Sequence, residues 1–194
     1  MRPLFLLMVL CFSSLLQADT FDHQHQAWTR LLQQHVSWLE QGHASVVDYA
    51  AVQKNRTELD RYLSVLSAVP PADYQRWQPE QRLAFLINAY NAFTLKLIVE
   101  HYPLDSIKSI GGLFSSPWKQ AFIPLLGQRL SLDQIEHGMI REPGVFDEPR
   151  IHFAVNCASV GCPALRDEAF VAERLEEQLQ DSQQRFLSDR SRNR

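Results

Sequence analysis

No cluster of Lys or Arg occurs anywhere in the 194 residues, and the formal charge is −3. The electrostatic footprint of a nucleic-acid binder is therefore missing, and no nucleic-acid partner is expected. Cysteine is scarce: there are three, and one of them, Cys11, lies in the N-terminal apolar stretch. No His-x-x-x-His motif accompanies the other two, Cys157 and Cys162, so the spacing of a structural zinc site is lacking and no metal or other cofactor is expected. Internal repeats, low-complexity tracts and linkers are also absent, and the length suits one domain with a proper core rather than two.

What is present begins with a leader. Arg2 supplies a positive start, residues 4–12 form a short apolar core, and Leu16-Gln17-Ala18 offers a small residue at a cleavage point. Residues 1–18 thus read as a signal peptide of an exported, periplasmic or secreted protein. The alternative is an uncleaved anchor, because Leu16 is a poor residue two before the cut. The apolar run is too short to span a bilayer, and no transmembrane segment is expected after cleavage. Loss of Arg2 with the leader takes the formal charge to −4. In an oxidising compartment the two remaining cysteines have three fates: a disulfide, a metal site or a reactive thiol.

Periodicity predicts helices over residues 21–41 and 57–69, the second stopped by Pro70-Pro71. Residues 46–52 read as extended or as a turn. The strongest helix is 79–102, with Pro79 in its first turn and apolar residues on more than one face, so it should be central and buried. Asn88 and Asn91 lie three apart within that apolar surface. Buried amides need partners: either they tie down a loop, or one of them orients a catalytic group. Residues 106–124 read as a long loop in which Trp118 plugs the core or walls a pocket. A hairpin is expected about Gly127, then a short helix over 131–141 opened by a Ser131/Gln134 capping box. Residues 150–155 read as a buried strand, 167–187 as an amphipathic helix, and 188–194 as a frayed tail.

The block 150–165, RIHFAVNCASVGCPAL, concentrates His, Asn and two Cys where a strand is expected to run into a turn. A strand would put His152 and Asn156 on one face and Cys157 on the other. His137 from the preceding helix is then the better base for a Cys157 nucleophile, with Glu136 or Asn88 as orienter. Cys157 and Cys162 are equally close enough in sequence for a disulfide that pins the turn. Under that alternative His152 and the Asn residues only fasten loops. A weaker option is a metal or redox site made of Cys157, Cys162 and His152.

Three motifs, LAFLINAYNAFT at 83–94, LDQIEH at 132–137 with Arg141, and PRIHFAVNCASVGCP at 149–163, together resemble the family known as domain of unknown function 547. The resemblance runs from about Val47 to Phe186. It implies a mixed helix and sheet domain, found in exported bacterial proteins and in plants and animals, with no established activity. Its motif positions fall on Asn88, Tyr90, Asn91, Glu136, His137, Arg141, His152, Asn156, Cys157, Ser159, Cys162 and Pro163. Members continue past the last helix with further strand and helix, so the resemblance implies a short member.

The expectation is one α+β domain over residues 19–187, several helices on a small, largely antiparallel sheet. Two functions compete. One is a thiol-dependent hydrolase or acyltransferase on an amide or peptide-like substrate, with Cys157, His137 and Glu136 or Asn88 catalytic and Tyr90, Asn91, Arg141, His152, Asn156 and Ser159 binding. The other is a non-catalytic envelope binding or scaffold domain with a Cys157–Cys162 disulfide. The partner under either is a small-molecule or peptide-like ligand. Geometry separates them: His137 within hydrogen-bond reach of Cys157 favours the enzyme, and bonded sulfurs favour the scaffold.

Overall fold

The computed structural model describes residues 21–39, 41–111, 116–159 and 161–191. The predicted leader lies outside the described residues. The chain is an α+β domain: helices surround one long central helix, and two separate two-stranded antiparallel ribbons sit at the periphery.

The N-terminal helix is shorter than the periodicity suggests. α1 spans Gln26–His35, and the chain then extends into β1, Val36–Trp38, which pairs with β2, Ser45–Val47, in the register Val36↔Val47. Val36 and Trp38, with Val46 and Val47 on the paired strand, favour that switch. The stretch read as extended or a turn, 46–52, starts extended in β2 and then enters α2 (Tyr49–Lys54), which Asp48 caps by accepting the Ala51 N–H at 2.9 Å. α3 (Thr57–Ser67) stops before the paired prolines, and Pro71 then opens a short helix, α4 (Pro71–Arg76), because a proline is well suited to a first helical turn.

α5 (Pro79–His101) is the axis of the molecule. Gln78 and Gln81 close a reciprocal capping box at its start. It is long and apolar enough to cross a membrane, but 89% of its most apolar window is buried inside the protein. Neighbours on every side cover it: α2 and α3 from the N-terminal half, and the turns that follow residue 130 from the C-terminal half. Each Leu or Ile buried in this way contributes about 1.5–3 kcal/mol. One contiguous core runs from Trp28 to Leu179, with Trp118 packed against it as a plug. Near the N-terminus Trp28 stacks on Tyr62 at 5.4 Å between ring centroids.

β3 (Ile123–Leu125) and β4 (Gln128–Leu130) form the hairpin expected about Gly127, which has φ +72°. Leu126, the other turn residue, also has positive φ, the signature of the turn that matches strand twist. α6 (Leu132–Ile135) starts at the predicted box: Ser131 Oγ accepts the Gln134 N–H at 3.1 Å, and Gln134 Oε1 accepts the Ser131 N–H at 2.9 Å. A π-turn over Glu136–Ile140 continues it. α7 (Leu175–Ser188), preceded by a 3-10 turn over Ala172–Arg174, closes the fold. Beyond α7, Asp189 is buried and its Oδ1 accepts the Ser191 N–H at 2.9 Å, while the rest of the segment expected to fray, residues 192–194, lies outside the described residues.

One expectation fails. Residues 150–155 are not a strand; Pro149–Phe153 is a 3-10 helix. Pro149 sets the first helical φ, and Glu148 caps the turn by accepting the Arg150 N–H at 2.9 Å. Both ribbons are self-contained pairs, so they offer this segment no partner, and its apolar run is buried against helices instead.

Candidate functional site

Two polar groupings flank the block 149–163, and they differ in kind. The first is internal. Asn88 and Asn91 on α5 both turn into the core, and both amides are taken up by backbone. Asn88 Nδ2 donates to the Phe170 carbonyl at 2.7 Å, and its Oδ1 accepts the Phe170 N–H at 3.0 Å. Asn91 Nδ2 donates to the Ala154 carbonyl at 2.9 Å, and its Oδ1 accepts the Asn156 N–H at 2.8 Å. A side-chain amide both donates and accepts, so Asn88 imitates a strand neighbour for Phe170, and Asn91 does so across Ala154 and Asn156.

Asn156 repeats the device. Its Nδ2 donates to the Pro163 carbonyl at 2.7 Å and its Oδ1 accepts the Ala158 N–H at 2.9 Å. Those contacts bracket the turn that Cys157 and Cys162 close with a disulfide, their Cα atoms 6.0 Å apart. Within the turn the Ser159 carbonyl accepts the Cys162 N–H at 2.9 Å, while Ser159 itself is exposed. Gln178 on α7, not anticipated from sequence, does the same work on the next stretch: fully buried, it accepts the Val171 N–H at 2.9 Å and donates to the Ala169 carbonyl at 2.8 Å.

The second grouping lies on the π-turn. Its defining bond runs from the Arg141 N–H to the Glu136 carbonyl at 2.9 Å, five residues back. That wider turn lets one guanidinium meet two side chains of its own segment. Arg141 Nη1 lies 3.4 Å from Glu136 Oε1 and donates to His137 Nδ1 at 3.0 Å. Arginine only donates, so His137 Nδ1 is the acceptor of that bond, and the other ring nitrogen, Nε2, faces Asp133 Oδ1 at 3.9 Å. From α5, the buried Tyr90 phenol donates to the Glu136 carboxylate. Burial first, then the Glu136 charge and that hydrogen bond, hold the phenol protonated far above its ordinary range.

His152 stands on the outer side of its 3-10 helix and reaches solvent. Its pKa is lowered, first by partial desolvation and then by the Arg141 charge; Glu136 opposes this, and His137 adds to it. Beside these groups is an open hollow of about 310 Å³, lined among others by Arg141, Glu142, Asp147, Glu148, Ile151 and His152. The loop carrying Glu142 and Asp147 turns through Gly144, at φ +80°, where a side chain would be strained.

The structure therefore brings together Tyr90, Glu136, His137 and Arg141, with His152 in their field. It separates from them Asn88, Asn91 and Asn156, which fasten loops. No hydrogen bond joins His137 to Cys157, and Cys157 Sγ is bonded to Cys162. Among the described residues no group of three His, Cys, Asp or Glu side chains has the arrangement to hold a metal ion. Asp133, Glu142, Asp147 and Glu148 were missed from sequence, because acids in a short helix or a surface loop carry no periodic or motif signal.

The chain matches, over residues 74–187, the family described as protein of unknown function, DUF547. That span is more than half of the sequence, and the chain belongs to this family. No curated protein and no solved structure matches it.

Proposed function

We propose that this member of the DUF547 family is a non-catalytic binding domain of the cell envelope, with its ligand face on the π-turn. The Cys157–Cys162 bond supports export, since such bonds persist in oxidising compartments. The same bond argues against a resting nucleophile: a hydrolase with Cys157 attacking, His137 as base and Glu136 or Asn88 orienting needs a free Sγ and a ring turned toward it.

The observation that carries the binding reading is the contrast in how polar groups are satisfied. The Asn amides have full sets of internal partners. Arg141 instead meets only side chains of its own exposed segment, the His137 ring at 3.0 Å and the Glu136 carboxylate in an ion pair at 3.4 Å. Side chains so placed, beside a hollow and half in solvent, are available to an incoming group.

The test is imidazole NMR of the mature protein, titrated with acetate, phosphate, methylammonium and short peptides. Movement of the His137 and His152 resonances by at least one of these, with no conversion of the probe over hours, supports the reading. Resonances that stay still for every probe, or hydrolysis of a peptide that vanishes in Cys157→Ser, would overturn it.

A further inference from the structure

The hollow beside the π-turn carries charges of both signs, and they are only partly used up in ion pairs. Glu148 lines it but is held by Arg150, whose Nε donates to Glu148 Oε1 at 2.8 Å and whose Nη2 donates to Oε2. Asp147 accepts only a neutral donor, the Gly144 N–H, at 3.0 Å. The Glu142 carboxylate has no partner among the described residues and is exposed. Arg141 spends one nitrogen, Nη1, on its own segment, in an ion pair with Glu136 at 3.4 Å and a hydrogen bond to the His137 ring at 3.0 Å, while its Nε and Nη2 have no partner among the described residues. Thus one guanidinium with two uncommitted nitrogens, and two carboxylates without a cationic partner among the described residues, face one small volume. The rest of the lining includes Ile140, Pro143, Pro149 and Ile151, an apolar floor.

A simple anion in this hollow would meet Arg141 but be repelled by Glu142 and Asp147. A simple cation would meet the reverse. A molecule carrying both charges satisfies both sets at once, and charge-assisted hydrogen bonds of this kind are the strong ones. We propose that the hollow binds a small zwitterion, a free amino acid or a short peptide with unblocked ends, its carboxylate on Arg141 and His152 and its ammonium on Glu142 and Asp147. The volume, about 310 Å³, lies at the small end of ligand sites and suits one or two residues. The inference rests on the reading of the π-turn as a ligand face, and adds to it the class of ligand.

The field at His152 provides an independent readout. Partial desolvation first, and then the Arg141 charge, lower its pKa in the free protein. A carboxylate seated on Arg141 offsets that charge, so the His152 pKa rises when ligand binds.

The experiment compares alanyl-alanine with N-acetyl-alanyl-alanine, which lacks the ammonium, and alanyl-alanine amide, which lacks the carboxylate. Binding to the mature protein is followed by calorimetry and by the imidazole resonances. The dipeptide is expected to bind on the order of tenfold or more tightly than either blocked form, and to raise the His152 pKa. Arg141→Gln should abolish the preference for the free carboxylate and keep that for the ammonium, and Glu142→Gln should do the opposite; both residues are exposed, so both variants should fold. Blocked forms that bind as well as the dipeptide, while still moving His137 and His152, overturn the zwitterion and leave the ligand face standing. Imidazoles unmoved by all three peptides and by simple ions overturn both.

Discussion

The interior amides and the π-turn cluster are built from similar residue types, yet they behave as opposites. Asn88 is fully buried, with both halves of its amide on backbone, whereas His137 is 51% exposed by its side chain and bonded to another side chain. In the interior, a polar group left without its partner cannot turn to water, so an amide that meets backbone with both its donor and its acceptor, as Asn88 and Asn91 do, is framework. At the rim, water is always an alternative, so a pair can be opened by a ligand at little cost. Polarity in a motif therefore does not identify a site; incomplete internal satisfaction beside an open volume does.

The comparison breaks most visibly at Asn88. Asn88→Ala would strand the Phe170 N–H and carbonyl in a dry core, and is expected to cost about 2–5 kcal/mol, read by urea unfolding. Asn91→Ala should behave alike. An Asn88→Ala protein as stable as the parent would mean that the amide is not framework.

A second lever is His25, placed at positive φ before α1 and 2% exposed, its Nδ1 2.7 Å from the Tyr62 hydroxyl. Desolvation, against the pull of Asp22 and with some help from His23, lowers its pKa to about 3. The folded state holds this ring neutral while the unfolded chain protonates it below about 6.5. The unfolded state therefore binds more protons between about 6.5 and 3, and stability falls as pH drops through that window. The limiting slope is about 1.4 kcal/mol per pH unit. Unfolding free energies measured at pH 7 and pH 5 should differ, and His25→Gln should flatten the difference; an unchanged difference would assign the acid sensitivity to other groups.

Next in size is the disulfide. The joint change of Cys157 and Cys162 to Ser is expected to cost about 2 kcal/mol, as the loop is short. With Asn156 still bridging Ala158 and Pro163, the double variant should remain folded, as the near-ultraviolet dichroism would show. Smallest of all is the rim: His137→Ala and His152→Ala should change stability by no more than about 0.5 kcal/mol, while weakening dipeptide binding. A loss comparable with Asn88→Ala would make the cluster framework too.

How much of this was legible in the sequence follows the same division. Local chemistry was readable: the Ser131/Gln134 box, the Gly127 hairpin, the stop before Pro70-Pro71 and the burial of α5 each depend on a few neighbouring residues. The argument that Asn88 and Asn91 must find partners was sound, though not which partners, because Phe170 and Ala154 are brought to them by tertiary packing. Residues 150–155 have the composition of a buried strand, but strand formation needs a partner edge, and neither ribbon supplies one. The π-turn left no mark, since Glu136, His137 and Arg141 have spacings that an ordinary helix also allows. The acids that complete the hollow lie in a loop whose course is set by Gly144 and Pro149 rather than by any period.

The most direct test of the division between framework and rim is a count of thiols on the folded, unreduced protein, by alkylation and mass mapping. The account predicts that neither Cys157 nor Cys162 is labelled, folded or unfolded, until a reductant is added, and that both are labelled afterwards. Rapid labelling of Cys157 alone at or below neutral pH would contradict it, since a thiolate stabilised there would put the chemistry in the turn that the account assigns to the framework.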